Sequence, residues 1–215
     1  MTNLADPRPT ILLTGFGPFP GVPKNISADL VRVLAKRARK TLAPYRVVSS
    51  VLPTEWDRAP RLLASLHARH TPVLALHFGV ATGTRGFRLE TEARNYRRAI
   101  SDALGSLPAS TSLAHEGATV YAVTIAAKSI AAGLESNGYT VSLSDDAGGF
   151  LCNAILYHSL ALAEESGGTC RVGFVHIPAD LSNPPLTLPE AVAGALEIVK
   201  FALELPAAPN SLTST

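Results

Sequence analysis

The amino-acid sequence predicts an α/β protein, a three-layer α/β/α sandwich built on a mainly parallel mixed sheet. Three observations carry this. Short apolar, β-branched runs alternate along the chain with stretches of helical periodicity, the pattern of strands joined by crossover helices. The runs TILLT at 10–14 and PVLALHFG at 72–79 are almost unbroken in apolar residues, as strands covered on both faces must be. Turn residues punctuate the runs, as in GFGPFPG at 15–21 and AGG at 147–149.

Taken in order, the strand at 10–14 runs into GFGPFPG, which reads as a loop. A helix follows over 28–40, with Asn25 or Ser27 placed to cap it. Arg32, Lys36, Arg37, Arg39 and Lys40 fall in its later turns, where cations complement the carbonyl end of the helix dipole. The next strand spans 45–52. Pro60 cannot sit in a helix interior, so the second helix starts near Asp57 and runs to 67, with Leu62, Leu63 and Leu66 facing inward. The strand at 72–79 comes next. Residues 80–118 are the least regular part, with Glu90, Glu92 and several arginines, and are expected to hold a strand or two between long loops. A strand at 119–123, a helix at 125–136 ended by Asn137 and Gly138, and a strand at 140–144 restore the alternation. The turn Ala147, Gly148, Gly149 then opens a helix over 150–165, followed by a strand at 169–177 and a Pro-rich loop. The last helix, 187–205, begins with Thr187 and Glu190 at capping-box spacing and Pro189 in the first turn. No repeat or linker interrupts this order. A single α/β domain is expected over 1–205, with a flexible tail at 206–215.

Composition narrows the function. Of 215 residues, 47% are hydrophobic and 17% charged, which excludes disorder. The balance of 19 Lys and Arg against 17 Asp and Glu is too even to favour nucleic acid. No apolar run approaches the roughly 20 residues of a membrane span, and nothing before Thr10 reads as a signal-peptide core. Two cysteines, Cys152 and Cys170, are too few for a disulfide framework. A cytoplasmic location without membrane partners is expected, with thiols free for chemistry. No metal or other cofactor is called for: HARH at 67–70 supplies two histidines and no third ligand. Gly15, Gly17 and Gly21 approach a dinucleotide loop, but Pro18 removes an amide that a phosphate would need.

In a sheet of this kind, ligands bind beyond the carboxyl ends of the strands. Cys152 falls in the first turn of a helix after a Gly turn, and His176 at the carboxyl end of the very next strand. Both project onto the same edge. A helix N-terminus and a histidine within reach would favour the thiolate, and the free amides of the first turn could hold an oxyanion. Cys170, on a strand, reads as core.

The segment SDDAGGFLCNAILYHSL at 144–160 resembles the nucleophile segment of pyroglutamyl peptidase I (pyrrolidone carboxyl peptidase), commonly S-N-x-A-G-x-[FY]-x-C-N followed by Y-H-S-L. ILLTGFGPFPGVPKN at 11–25 is similar to that family's T-G-F-x-P-F-G-G, LPTEWDRA at 52–59 to its L-P-T-x-F, and GFVHIP at 173–178 to its F-x-H-x-P. ETEARN at 90–95 fits its E-R-V-A-x-N at Glu90, Ala93 and Asn95. The resemblance implies a phosphorylase/hydrolase-like fold and a cysteine exopeptidase that removes amino-terminal pyroglutamyl groups through a thioester. Cys152 would be the nucleophile, His176 the general base and acid, and Glu90 the carboxylate orienting the imidazole, with Glu92 the rival. The partner implied is a small peptide with a blocked N-terminus, and a homo-oligomer is implied without any identifiable interface.

A lactam ring has an apolar face, one N–H and one C=O, so its pocket needs aromatic side chains and backbone groups rather than a charged clamp. The matching positions are Phe16 and Phe19 in the first loop, Thr54, and Phe150 with Leu151 beside the cysteine; Asn25 more simply braces the loop or caps the helix. The chain departs from the family at Pro20, at Arg85, one place late after a Gly-rich loop, and at Glu92. After Asn95, the family arginine and apolar pocket residue fall on Ile100 and Ser101, with Arg97 or Arg98 available by a shift of register. These changes leave open a related thiol amidohydrolase for another small cyclic acyl group, or a non-catalytic binding homologue.

Overall fold

The structure is a computed structural model that describes residues 7–206. Its elements are β1 (Thr10–Phe16), α1 (Ile26–Thr41), β2 (Arg46–Leu52), α2 (Arg58–His70), β3 (Leu74–Val80), β4 (Phe87–Glu90), β5 (Glu92–Arg94), β6 (Val120–Ala122), α3 (Ala127–Ser136), β7 (Val141–Ser144), α4 (Leu151–Glu165), β8 (Arg171–Ile177) and α5 (Leu188–Glu204). Apart from Pro206, the expected tail lies outside the described residues.

Burial decides strand order. β1 is buried along its whole length, and β3 and β8 are buried except at one end. These apolar strands take the middle of a six-stranded sheet in the order β2-β1-β3-β8-β4-β7. The half-buried β2 and the mostly exposed β7 take the edges. β2, β1, β3 and β8 run parallel. β4 runs against β8, with Arg88 opposite His176 and Leu89 opposite Val175, and β7 runs parallel to β4. α1 packs on α5 and α5 on α3, while α2 packs on α4, so helices form a layer on each side of the sheet. The three-layer mixed sandwich is as expected.

Local signals behave as read. Asn25 caps α1, its Oδ1 accepting from Ser27 N–H at 3.2 Å. The capping box of Thr187 and Glu190 is formed at the start of α5. Three expectations change. β1 continues two residues further and takes in Phe16, which is therefore on a strand and not in the loop. α2 extends beyond 67 to His70 and stops at Thr71, whose φ of 38° is left-handed. The strand near 120 does not join the main sheet; β6 pairs with β5 in a separate two-stranded antiparallel sheet.

The first loop is closed by its own hydrogen bonds. Phe16 N–H donates to Ser27 Oγ at 3.0 Å, Gly17 N–H to Leu52 O at 2.8 Å and Phe19 N–H to Val22 O at 3.1 Å. The amides of Phe16, Gly17 and Phe19 are thereby engaged within the protein.

Candidate active site

Cys152 lies in the first turn of α4. The turn before it needs Gly148, whose φ of +85° is left-handed, and Asp146 Oδ1 accepts Gly148 N–H at 2.8 Å. Phe150, the N-cap, offers no side-chain oxygen to the first-turn amides, which leaves those donors for a ligand. Beneath the sulfur is Gly79 on β3, opposite His176 on β8. A Cβ on Gly79 would stand 3.0 Å from Cys152 Sγ and 2.9 Å from the Phe174 ring. Gly79→Ala should therefore displace the Cys152 sulfur, lowering kcat at least tenfold. Overpacking of about 1–3 kcal/mol should also lower Tm by several degrees in a chain this size. Kinetics and a thermal melt check both; an unchanged kcat would show that the sulfur has room to spare.

His176 is buried, and its ring is hydrogen-bonded on both sides. Nδ1–H donates to Glu90 Oε1 at 2.6 Å, and the imidazole also bonds Cys152. Burial by itself lowers the imidazole pKa; the charge and hydrogen bond of Cys152, then the hydrogen bond and charge of Glu90, outweigh it and raise the value from 6.5 to about 9. His176 therefore keeps its proton at neutral pH.

Glu90 is fully buried and Glu92 is not. On a continuous strand, residues 90 and 92 would share a face. The main-sheet strand ends at Glu90, however, and Glu92 belongs to β5, where it pairs with Arg94 at 2.9 Å. Only Glu90 meets the histidine. Because β4 is antiparallel to β8, Glu90 reaches Nδ1 from two positions beyond the Arg88–His176 pair, an arrangement that the carboxyl-end rule for parallel strands does not anticipate.

These groups open into a cavity of about 240 Å³, lined by Phe16, Phe19, Thr54, Phe150, Leu151 and Arg88 together with Cys152 and His176. The five expected pocket residues are all on its wall. Phe19 and Phe150 have ring centroids 5.9 Å apart, and Phe16 stands 6.2 Å from Phe174. Thr54 is buried, its hydroxyl donating to Pro18 O. Asn25 also reaches the cavity, but its amide is occupied: Nδ2 donates to Gly17 O at 3.1 Å and Oδ1 accepts from Ser27 Oγ at 2.8 Å.

Several residues that shape the site carry no local signal. Trp56 packs edge-on against Phe150 at 5.1 Å and donates Nε1–H to Ile100 O at 2.8 Å, so the divergent loop is tied to the aromatic wall through backbone. Arg97 lies 5.7 Å over the same indole. Arg98 takes the position beside the nucleophile turn: its N–H donates to Gly149 O at 2.8 Å, and a Cβ on Gly149 would meet its Cγ at 2.4 Å. Asn153, next to the cysteine, clamps β5 by accepting Arg94 N–H at 2.9 Å and donating to Arg94 O and Tyr96 O, each at 2.8 Å. Arg88 likewise carries no local signal. It shares a face with His176 and gives Nε–H to Glu90 Oε1 at 3.2 Å.

The remaining histidine signals part ways. His67 Nε2 meets Ser159 Oγ at 3.0 Å, Ser159 meets His77 Nε2 at 2.9 Å, and Thr14 Oγ1 closes the chain on His77 Nδ1 at 2.7 Å. Burial pushes His67 down to about 4 and His77 to about 3, so both are neutral structural groups. His70 instead meets Arg46. Cys170 is buried and its thiol is pushed up to about 12 by burial, as befits a core residue. No described helix is long and apolar enough to cross a membrane.

Comparison with known proteins places the chain among relatives of one family. A pyrrolidone-carboxylate peptidase of Cupriavidus taiwanensis is 33% identical over 205 residues, covering 91% of this chain and 93% of that one. One from Streptococcus suis is 32% identical over 169 residues, 78% of this chain and 77% of the relative. Among solved structures, a mutant pyrrolidone carboxyl peptidase from Pyrococcus furiosus superposes with a TM-score of 0.83 at 25% identity, covering 91% of this chain and 98% of the other. Pyroglutamyl peptidase I of Bacillus amyloliquefaciens gives 0.80 at 27% identity, covering 91% and 97%. The sequence pattern described as pyroglutamyl peptidase matches residues 9–198, and the chain belongs to that family.

Proposed function

We propose that the protein is a cysteine exopeptidase that hydrolyses the amide bond after an amino-terminal pyroglutamyl residue. The observation that carries this is the series Cys152, His176, Glu90, hydrogen-bonded in line at the mouth of an aromatic-walled cavity. The lactam ring lies between Phe16, Phe19 and Phe150, with the side of Leu151 closing the pocket. Thr54, its hydroxyl hydrogen already given to Pro18, keeps lone pairs that can accept the ring N–H.

Cys152 Sγ attacks the scissile carbonyl carbon, and the oxygen takes up negative charge against the first-turn amides of α4. The C–N bond breaks as His176 Nε2 gives its proton to the departing amine, leaving a thioester and neutral imidazole. Water then attacks the thioester. His176 takes the water proton, the C–S bond breaks, and pyroglutamate leaves with the thiolate and imidazolium restored. Throughout, Glu90 holds Nδ1–H and so keeps Nε2 toward the sulfur. A peptide with a blocked N-terminus suits the aromatic part of the pocket, where Phe16, Phe19 and Phe150 carry no counter-charge for a free ammonium group.

Coumarin release tests the reading. Pyroglutamyl-aminomethylcoumarin should be cleaved with a kcat/KM at least about a hundredfold above prolyl-aminomethylcoumarin, which lacks the ring carbonyl and whose ring nitrogen is a charged amine. Comparable rates on both would remove the pyroglutamyl assignment and favour a less selective thiol amidohydrolase, the reading suggested by the altered sequence at Ile100 and Ser101.

A further inference from the structure

The cavity has a direction, set by strand order. Along the sheet edge, β1, β3, β8 and β4 follow one another, at about 4.8 Å per step. The aromatic wall belongs to the β1 end, through Phe16 and the loop that follows it. Cys152 stands over β3, against Gly79; His176 is on β8; Arg88 is on β4. With the acyl ring over β1 and the sulfur over β3, the departing nitrogen must lie toward His176. The residue carrying that nitrogen then extends toward β4.

Arg88 is what it meets there. Directly opposed residues of an antiparallel pair project to the same face, so Arg88 stands beside His176, and its side chain is 30% exposed on the cavity wall. Among the described residues it is the sole lysine or arginine lining that cavity. Its Nε–H is held by Glu90 Oε1. The other two guanidinium nitrogens carry four N–H donors in a fork suited to a carboxylate. The opposite charge on the wall, Asp146, belongs to the turn before α4 and is engaged with Gly148 N–H. Neighbouring Asp145 pairs with Arg94 at 3.7 Å.

We infer that Arg88 is a specificity-determining residue on the leaving-group side, binding a carboxylate on the residue that follows the pyroglutamyl group. This rests on the peptidase reading above and adds a substrate class to it: peptides with an acidic residue in that place, or dipeptides whose terminal carboxylate occupies it. The fork is anchored by Glu90, so it is held before substrate arrives.

The test compares kcat/KM on pyroglutamyl-glutamate amide with pyroglutamyl-glutamine amide, and on pyroglutamyl-alanine with its amide, for the wild type, Arg88→Met and Arg88→Lys. The first pair isolates a side-chain carboxylate and the second a terminal one. The wild type should favour the carboxylate member of at least one pair about five- to twentyfold, the range of a charged hydrogen bond at a partly exposed site. Arg88→Met should bring that ratio within twofold of unity, and Arg88→Lys should keep part of it. Ratios near unity in the wild type overturn the inference, as does a preference that survives in Arg88→Met. A uniform fall on all four substrates with ratios unchanged would also overturn it, since Arg88 would then act only through Glu90. Turnover of the glutamine amide stands for the peptidase reading by itself, so a lost ratio removes the role of Arg88 alone; no turnover on any of the four removes both.

Discussion

Cys152→Ala is expected to abolish pyroglutamyl amide hydrolysis, with kcat down by about 10⁵-fold or more, as when a nucleophile that works as a unit with its base is removed. The fold should survive. Cys152 is only partly buried, at the start of α4, and alanine is a good helix former; the melt should match that of the wild type within a few degrees. Substrate should still bind, because the aromatic wall is untouched. Activity persisting in the variant would remove Cys152 from the reaction, and with it the thioester. The other thiol is no substitute: Cys170 is buried, with its pKa pushed up to about 12.

Glu90→Gln carries the second large effect. The carboxylate is fully buried, its Oε1 receives His176 Nδ1–H, and its Oε2 has no partner among the described residues. Glutamine preserves volume but removes the charge, and it places an amide N–H where nothing accepts it or turns that N–H against Nδ1. A loss of about 10³- to 10⁴-fold in kcat is expected, by analogy with neutralising the orienting acid of a catalytic triad. The pH profile should move as well. In the wild type, kcat/KM should fall on the alkaline side around pH 9, where His176 loses the proton it gives to the leaving amine. Glu90 is one of the groups that raise that value, so the limb should shift toward acid in the variant. An unmoved limb would show that Glu90 does not tune the imidazole.

The same shift bears on stability. His176 is raised above its ordinary 6.5 in the folded protein, so between 6.5 and about 9 this imidazole holds its proton in the folded state where it has lost it in the unfolded one. Its contribution is complete below pH 6.5 and is lost as pH rises through about 9. Tm should decline over that window, and less steeply in Glu90→Gln.

Much of the site could be read from the chain because its signals are local. Asn25 at its helix start, Thr187 with Glu190, and Gly148 before Cys152 act over a few residues, and each does in the structure what its spacing suggests. The two groups whose placement follows from strand and helix ends, Cys152 and His176, meet as expected. The Gly that follows Thr14 reads as a strand end, yet Gly15 stays in register with Val51 and Phe16 with Leu52, which keeps Phe16 on the strand.

Alternation of apolar strands with capped helices determined the α/β class, and a cysteine at a helix start with a histidine at the next strand end marked the reacting edge; both are consequences of periodicity and capping, which act at short range. The family resemblance points to Glu90 over Glu92, but the physical reason that Glu90 meets the imidazole lies in the tertiary structure. Glu90 and His176 are 86 positions apart, and they touch only because β4 enters the sheet against the direction of β8 and stops at Glu90. That reversal also brings Arg88 to the cavity, while Asn153 holds the diverging β5 onto α4. Strand direction and order depend on how distant faces pack together, and that free energy has no signature in any short stretch of the chain.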